Sequence, residues 1–132
     1  MIIVLDVSGA MEILFQRTKS DVFAKAYSEG TWIIAPDLFI AEITNTLWKY
    51  FRSGLITHED CIQYTQDGLD LIDDFIDTKK LWKEALSEGM KNNHPIYDMY
   101  YAVLARRNDG LLISNDKALT EICTKLNIRV CN

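Results

Sequence analysis

Short aliphatic runs alternate with amphipathic stretches along this chain. The first run covers residues 1–5, and shorter runs lie at 32–35 and 111–114. Apolar runs without polar alternation are typical of strands that are covered on both faces, as in a parallel sheet. We therefore predict strands at these three places and a last short strand at 128–130.

Between these runs, apolar residues recur at the spacing of a helix face. The predicted helices cover 9–17, 20–29, 36–52, a segment that starts at Thr57, 78–91, 96–108 and 117–126. Ser20 or Asp21 is the expected N-cap of the second helix and Gly30 its stop. Thr57, with Asp60 three residues later, loosely matches a capping box.

The order of these elements predicts the fold class. The Asp-rich stretch 67–77 is the least regular segment, and we place a short strand near Leu69, Leu71 and Ile72. Strands that alternate with helices imply a mostly parallel sheet with helices on both faces. No repeat, linker or low-complexity segment interrupts residues 1–132. The prediction is a single three-layer α/β/α domain with about five short strands.

Charge and cysteine content narrow the possible functions. The 132 residues carry a net charge of −5, with a pI of about 4.9, which argues against a protein that coats nucleic acid through a basic face. An enzyme that grips a few phosphates through a bound metal remains compatible, as does a basic partner. The three cysteines are Cys61, Cys123 and Cys131, an odd number without Cys-x-x-Cys spacing, which favours a reducing compartment over a disulfide framework.

The sequence shows no evident membrane or export signal. No run approaches the ~18 apolar residues that a membrane helix needs. The N-terminus lacks the charged and long apolar regions of a signal peptide. We therefore expect a cytoplasmic protein without membrane contact.

Four acidic residues carry the candidate chemistry. Asp6 ends the first strand, and Asp116 follows the 111–114 strand. Ligands of open parallel sheets bind at the carboxyl ends of the strands, so these two acids can meet in one crevice. Glu42 and Asp98 are single charges in apolar stretches of two helices, where an unpaired buried charge is costly.

Each acid also has a purely structural explanation. Asp6, Asp98 and Asp116 could cap helices or favour a helix dipole, and Glu42 could be a first-turn acid. Four acids at one edge of a sheet, however, repel one another by roughly 4 kcal/mol per pair at 4 Å and an effective dielectric near 20. Carboxylate oxygens suit Mg²⁺ or Mn²⁺, which would offset this repulsion. The sequence therefore indicates a metal site that acts on a phosphodiester.

Three segments resemble the motifs of the PIN-domain family, specifically the VapC toxins of type II toxin–antitoxin pairs. IIVLDVS is similar to the first strand and acid, and PDLFIAEITNTLWKYFRSG to the helix with Glu-Ile-x-Asn. IYDMYYAVLARRNDGLLISND resembles Tyr-Asp-x-x-Tyr-x-x-x-Ala followed by a strand that ends in Ser/Thr-x-Asp. The order and spacing match over the whole chain.

This resemblance implies a Mg²⁺- or Mn²⁺-dependent endoribonuclease. Asp6, Glu42, Asp98 and Asp116 fall on the family's acidic positions, as ligands of one or two ions. The resemblance also implies an RNA substrate, a VapB-like antitoxin and a homodimer. Where some relatives have a further acid, this chain has Lys117, so the number of ions stays open.

Further residues are expected to support the site. The supporting polar positions are Ser8, Asn45, Ser114 and Asn115. Lys117 and Arg106 are candidate contacts to RNA phosphates. His94 precedes Asp98 by one helical turn and is expected in a surface or loop role, with a ligand or proton-carrier role as the alternative.

Two other functions were considered. One is a catalytically inactive PIN module that acts through protein contacts, which the loss of an acid would favour; all four acids are present. The other is a phosphoryl-transfer or receiver-like domain, for which a second acid is expected two residues after the first. Ser8 occupies that position.

Overall fold

A computed structural model describes all residues, 1–132. It contains a single sheet of five strands, all parallel, in the order β3-β2-β1-β4-β5. The strands are β1 (Ile2–Leu5), β2 (Trp32–Pro36), β3 (Asp74–Ile76), β4 (Leu111–Ile113) and β5 (Val130–Cys131). The predicted fold class and the sheet of about five strands are confirmed.

Seven α-helices connect the strands. They are α1 (Val7–Leu14), α2 (Ser20–Ser28), α3 (Leu38–Arg52), α4 (His58–Asp70), α5 (Trp82–Asn92), α6 (Ile96–Arg107) and α7 (Lys117–Lys125). Helix α1 packs against α2, α3 and α4, whereas α6 packs against α5 and α7, so the helices form two layers around the sheet. No helix combines the length and the apolar composition that a membrane crossing requires.

The inner strands explain why the aliphatic runs lack polar alternation. Ile3, Val4 and Leu5 of β1 are fully buried, as are Leu112 and Ile113 of β4. A parallel strand with helices on both of its faces has no solvent side on which to place a polar residue. Cys123 also lies fully buried in this core, and burial raises the pKa of its thiol to about 12. All three cysteines are free.

Some predicted boundaries were wrong. The strand expected near Leu69–Ile72 lies later, at Asp74–Ile76, because α4 continues to Asp70. Gly68 permits this, since a Cβ there would stand 2.3 Å from Ile43 Cδ1 of α3. The 78–91 helix begins with a 3-10 turn, Thr78–Lys80, and the α-helix itself starts only at Trp82.

Helix caps were predicted with mixed success. Thr57 caps α4 by accepting a hydrogen bond from the Asp60 backbone N–H at 3.1 Å, as expected. The expected cap of α2 was wrong, because Lys19 occupies the N-cap position and Ser20 is already helical. The first helix starts at Val7 rather than at residue 9, since the Asp6 side chain caps it.

The strand order of the sheet reverses between β1 and β4. Strands β1 to β3 extend the sheet to one side, while β4 and β5 extend it to the other. The crevice at such a switch point is where open parallel sheets bind ligands. Gly9 lets α1 approach β4 closely here, because a Cβ would stand 2.7 Å from the Ile113 carbonyl oxygen.

Candidate active site

Asp6 lies at the switch point, at the carboxyl end of β1, and is only 5% exposed. Its Oδ1 accepts hydrogen bonds from Ser8 Oγ at 2.7 Å and from the Gly9 backbone N–H at 2.8 Å. Its Oδ2 accepts one from Ser114 Oγ at 2.5 Å. A carboxylate has about four lone-pair positions, so one on Oδ2 is left for another ligand.

Two serine hydroxyls connect Asp6 to the loop after β4. Ser8 Oγ accepts a hydrogen bond from the Asn115 N–H at 2.8 Å, and Ser114 Oγ accepts one from the Asp116 N–H at 3.0 Å. Each hydroxyl donates its single proton to Asp6. Its oxygen can then only accept hydrogen bonds, and it accepts them from these backbone N–H groups. Both serines therefore link the end of β1 to the loop after β4.

Burial is the main cause of the raised pKa of Asp6. It raises the pKa of this carboxyl from 3.8 to about 6, although the bonds from Ser114, Gly9 and Ser8 oppose the shift. The charge of Asp116 raises the pKa further. The charged form of a buried acid beside a second acid is destabilised unless a cation is nearby.

Glu42 projects from α3 and is half-buried. Tyr101 of α6, only 2% exposed, donates its hydroxyl proton to Glu42 Oε1 at 2.6 Å. Burial raises the pKa of Glu42, the Tyr101 hydrogen bond lowers it, and the charge of Asp98 raises it. Glu42 is the fifth residue of α3, beyond the first turn, so the explanation as a first-turn acid was wrong.

Asp98 lies in the first turn of α6 and pairs with His94. His94 Nε2 lies 2.8 Å from Asp98 Oδ2, and the His94 side chain is only 13% exposed. Burial is the largest cause of the raised pKa of Asp98, with the His94 bond opposing it and Asp116 adding to it. His94 lies in the loop between α5 and α6, as expected, but its side chain is largely buried and contacts Asp98.

Asp116 caps α7, with its Oδ1 accepting a hydrogen bond from the Leu119 N–H at 3.1 Å. Glu42, Asp98 and Asp116 thus share one pattern, in which a protein group contacts only one carboxylate oxygen, whereas Asp6 has donors on both of its oxygens. Glu42 Oε2, Asp98 Oδ1 and Asp116 Oδ2 accept no hydrogen bond from the protein, and none of the three is sealed from solvent. Donors that orient a carboxylate while leaving an oxygen open are typical of metal ligands.

The charges of the four acids influence one another, but the side chains do not converge tightly. Asp116 acts on Asp6 and Asp98, and Asp98 acts on Glu42. None of the four pairs with Lys or Arg. No three acidic, histidine or cysteine side chains stand close enough to hold one ion directly. This donor set fits Mg²⁺, which keeps several waters and needs only one or two carboxylates.

The other expected residues are divided between the site and the surface. Asn115 adjoins the site, whereas Asn45 is exposed on α3 and makes no side-chain hydrogen bond. Lys117 is exposed at the start of α7. Arg106 lies at the opposite end of α6 from Asp98 and pairs with Glu84 and Glu88 of α5, so the structure does not bring it to the acids.

The sequence reasoning missed Glu12. This α1 residue is only 6% exposed, accepts a hydrogen bond from Asn115 Nδ2 at 2.8 Å, and leaves its Oε2 buried without a partner. A lone acid inside the apolar stretch GAMEILF was the available signal, the same one that drew attention to Glu42.

One curated relative matches nearly the whole chain. The chain is 26% identical to ribonuclease VapC3 of Pyrobaculum aerophilum over 127 residues, which cover 92% of this chain and 94% of the relative. It is similar to a VapC ribonuclease. No protein-family model matches the chain.

A solved structure supports the fold. The crystal structure of PAE2754 from Pyrobaculum aerophilum superposes with a TM-score of 0.71 and covers 96% of this chain and 98% of the other. At 19% sequence identity, this likeness concerns the fold alone.

Proposed function

We propose that the chain is a metal-dependent endoribonuclease that hydrolyses RNA phosphodiesters. Asp6, Glu42, Asp98 and Asp116 are the proposed ligands of one or two Mg²⁺ or Mn²⁺ ions. The observation that carries the proposal is that none of the four acids has a Lys or Arg partner, while Glu42, Asp98 and Asp116 each keep one oxygen without a protein donor. Similarity to ribonuclease VapC3 supports the choice of RNA.

The residues of the chain have separable roles in this reaction. When bound, the metal supplies a water of lowered pKa and polarises the phosphodiester. Asp6 is the most rigidly held acid, since three donors orient it. Glu42 and Asp98 each combine an open oxygen with a pKa raised by burial, so either is suited to accept a proton from the attacking water.

The biological setting belongs to the same proposal. We place the chain in the PIN-domain family as the toxin of a VapBC-type pair, acting in the cytoplasm as a homodimer. A VapB-like antitoxin is the proposed partner. The acids of the site and the net charge of −5 favour a basic segment in that partner.

Metal removal tests the activity directly. We expect the purified chain, freed of any antitoxin, to cleave RNA with Mn²⁺ or Mg²⁺ present and to lose cleavage in EDTA, because the carboxylates alone cannot activate water. Added Mn²⁺ should restore cleavage in the wild type but not in an Asp6→Asn, Asp98→Asn double variant. Gel analysis of a defined RNA gives the readout.

A matched control uses two exposed acids of α4. Asp67→Asn with Asp70→Asn removes the same charge far from the site, and both acids only accept bonds from glutamines of their own helix. Equal cleavage by the wild type and by the Asp6, Asp98 double variant contradicts the proposal.

The Tyr101 hydroxyl should tune the metal site. We expect Tyr101→Phe to weaken Mn²⁺ binding about tenfold, because groups that orient a ligand commonly contribute that much. Loss of the bond also raises the pKa of Glu42, since Tyr101 donation lowers it. Titration calorimetry measures the affinity. Tyr97→Phe, on the same helix and 71% exposed, is the control, and equal affinities of the two variants refute this role.

A second candidate function rests on a specific observation. Both oxygens of Asp6 are already engaged by protein donors, and no three ligands converge, as in a module that binds partners without catalysis. Calorimetry separates the two functions, since such a module takes up no Mn²⁺ at millimolar concentration.

A further inference from the structure

A polar cavity of about 330 Å³ lies beside the acidic site. It is lined by Lys19, Asn115, Lys117, Thr120 and Asn132, and none of these residues is hydrophobic. Its walls come from the N-cap of α2, the loop after β4, the first turns of α7 and the end of the described chain. Such a lining suits a small polar ligand rather than an apolar one.

Asn115 is the wall that the cavity and the acidic site share. Its backbone N–H donates to Ser8 Oγ, whose proton goes to Asp6. Its side chain lines the cavity and gives one amide proton to Glu12, so the second amide proton is free. Asp116 follows directly in the chain. A ligand in the cavity therefore lies next to the proposed point of cleavage.

The charged side chains that line the cavity have the sign opposite to those of the acidic site. Two lysines line it, and no acidic side chain does. Lys19 forms no ion pair, and Lys117 approaches Glu121 only to 3.9 Å, with side chains that are 89% and 67% exposed. An exposed pair of this kind is worth little, so both ammonium groups are available.

All five arginines of the chain contact other side chains, Arg17 through the Tyr50 hydroxyl. Arg106 and Arg107 pair with Glu84 of α5, and Arg129 pairs with Asp109. Arg52 lies over the Trp48 ring. Lys19 and Lys117 are free positive charges that share a cavity with Asn115.

We propose that this cavity binds a backbone phosphate of the RNA strand, next to the phosphodiester that is cleaved. The proposal rests on the proposed ribonuclease function and adds where the strand is held. A chain of net charge −5 with an acidic centre repels RNA, and phosphate contacts from Lys and Asn side chains position a strand without reading its sequence. Lys19 and Lys117 supply the attraction, and Asn115 links the bound phosphate to Asp6.

Salt dependence of binding tests the cavity without catalysis. The cavity variant combines Lys19→Gln with Lys117→Gln. Its affinity for a labelled single-stranded RNA is compared with that of the wild type by fluorescence anisotropy, in EDTA and over a range of KCl concentrations. Each lost phosphate contact lowers the slope of log affinity against log salt by about 0.7. Because the cavity holds one phosphate, we expect a slope smaller by about 0.7, and an affinity about tenfold weaker for all RNA sequences alike.

The matched control removes two lysines elsewhere. Lys79→Gln with Lys83→Gln makes the same change in net charge at exposed positions outside the cavity and outside every ion pair. A slope unchanged from wild type in the Lys19, Lys117 variant, or changed equally in the control, overturns the proposal. In cleavage assays, the cavity variant should raise KM while kcat stays within about twofold of wild type.

Inorganic phosphate locates the site independently. We expect the backbone amide NMR signals of Asn115 and Thr120 to shift with phosphate in the wild type and not in the cavity variant. Phosphate binding there without any effect of the variant on RNA affinity overturns the role in RNA binding. If wild-type protein binds RNA through the cavity but does not cleave it with metal, the ribonuclease proposal fails while the binding site stands.

Discussion

Replacing Asp6 by Asn is expected to reduce RNA cleavage by about a thousandfold or more, equivalent to ~4 kcal/mol of transition-state stabilisation. Asn keeps the shape of the side chain but removes its charge, and its amide nitrogen cannot accept the hydrogen bond that Ser114 or Ser8 now donates. Asp6 joins the two strand ends at the switch point, so no other acid can take its place.

Single-turnover cleavage of a defined RNA with Mn²⁺ measures this effect. Asp67→Asn, an exposed acid whose Oδ1 accepts a bond from Gln63, should cleave at the wild-type rate. Near-normal cleavage by the Asp6 variant, with circular dichroism showing an intact fold, would remove Asp6 from the catalytic centre.

The same Asp6→Asn variant should be more stable than the wild type at neutral pH when metal is absent. Burial raises the pKa of Asp6 from 3.8 to about 6, which corresponds to ~3 kcal/mol. The folded chain therefore holds the proton of this carboxyl more tightly than the unfolded chain does. Its contribution to stability is complete below about pH 4 and is lost as the pH rises through about 6.

Asn has no charge to bury and lacks this pH dependence. We expect the free energy of unfolding of the variant relative to wild type to increase between pH 4 and pH 7, with ~3 kcal/mol as the upper limit. The net gain is smaller, because one of the three hydrogen bonds to Asp6 must be rearranged. Urea unfolding in EDTA at pH 4.5 and pH 7.5 tests this. An equal difference between the two proteins at both pH values contradicts it.

Both predictions have the same physical origin. Burial raises the pKa of Glu42 and Asp98 as well, so the charged forms of three of the four acids are disfavoured in the metal-free fold. Burying these charges lowers the free energy of unfolding of the metal-free chain. Such a loss of stability is expected where a site is organised to bind a ligand. Divalent metal that binds only the folded chain should therefore raise its stability.

Much of the fold was determined by local sequence. Strands β1, β2 and β4 were predicted because their aliphatic runs must be covered on both faces, and α6 and α7 were placed within about one residue. Asp6 and Asp116 were correctly placed at strand ends because a parallel sheet gathers these ends at one edge. That all four acids bind metal stays a prediction.

Only the tertiary structure decided which groups the acids contact. Tyr101 and Glu42 are separated by 59 residues, and Asn115 and Glu12 by 103, so no local spacing could pair them. The shift of the third strand to Asp74–Ile76 likewise depends on pairing with β2 and on the close packing of α4 against α3 at Gly68.

The tertiary structure also decided which positive charges at the surface are free to contact RNA. From sequence, Arg106 and Lys117 were equal candidates for RNA contacts, but packing of α5 against α6 commits Arg106 to Glu84 and Glu88. Lys19 drew no attention, and chain folding places it across a cavity from Lys117. The sequence by itself determined the parallel α/β architecture and the placing of Asp6 and Asp116 at one edge of the sheet. The reason is that aliphatic runs alternating with amphipathic helices indicate strands covered on both faces, and parallel strands have their carboxyl ends at the same edge. The partners of each charge were decided only by the tertiary structure, because they come from distant parts of the chain.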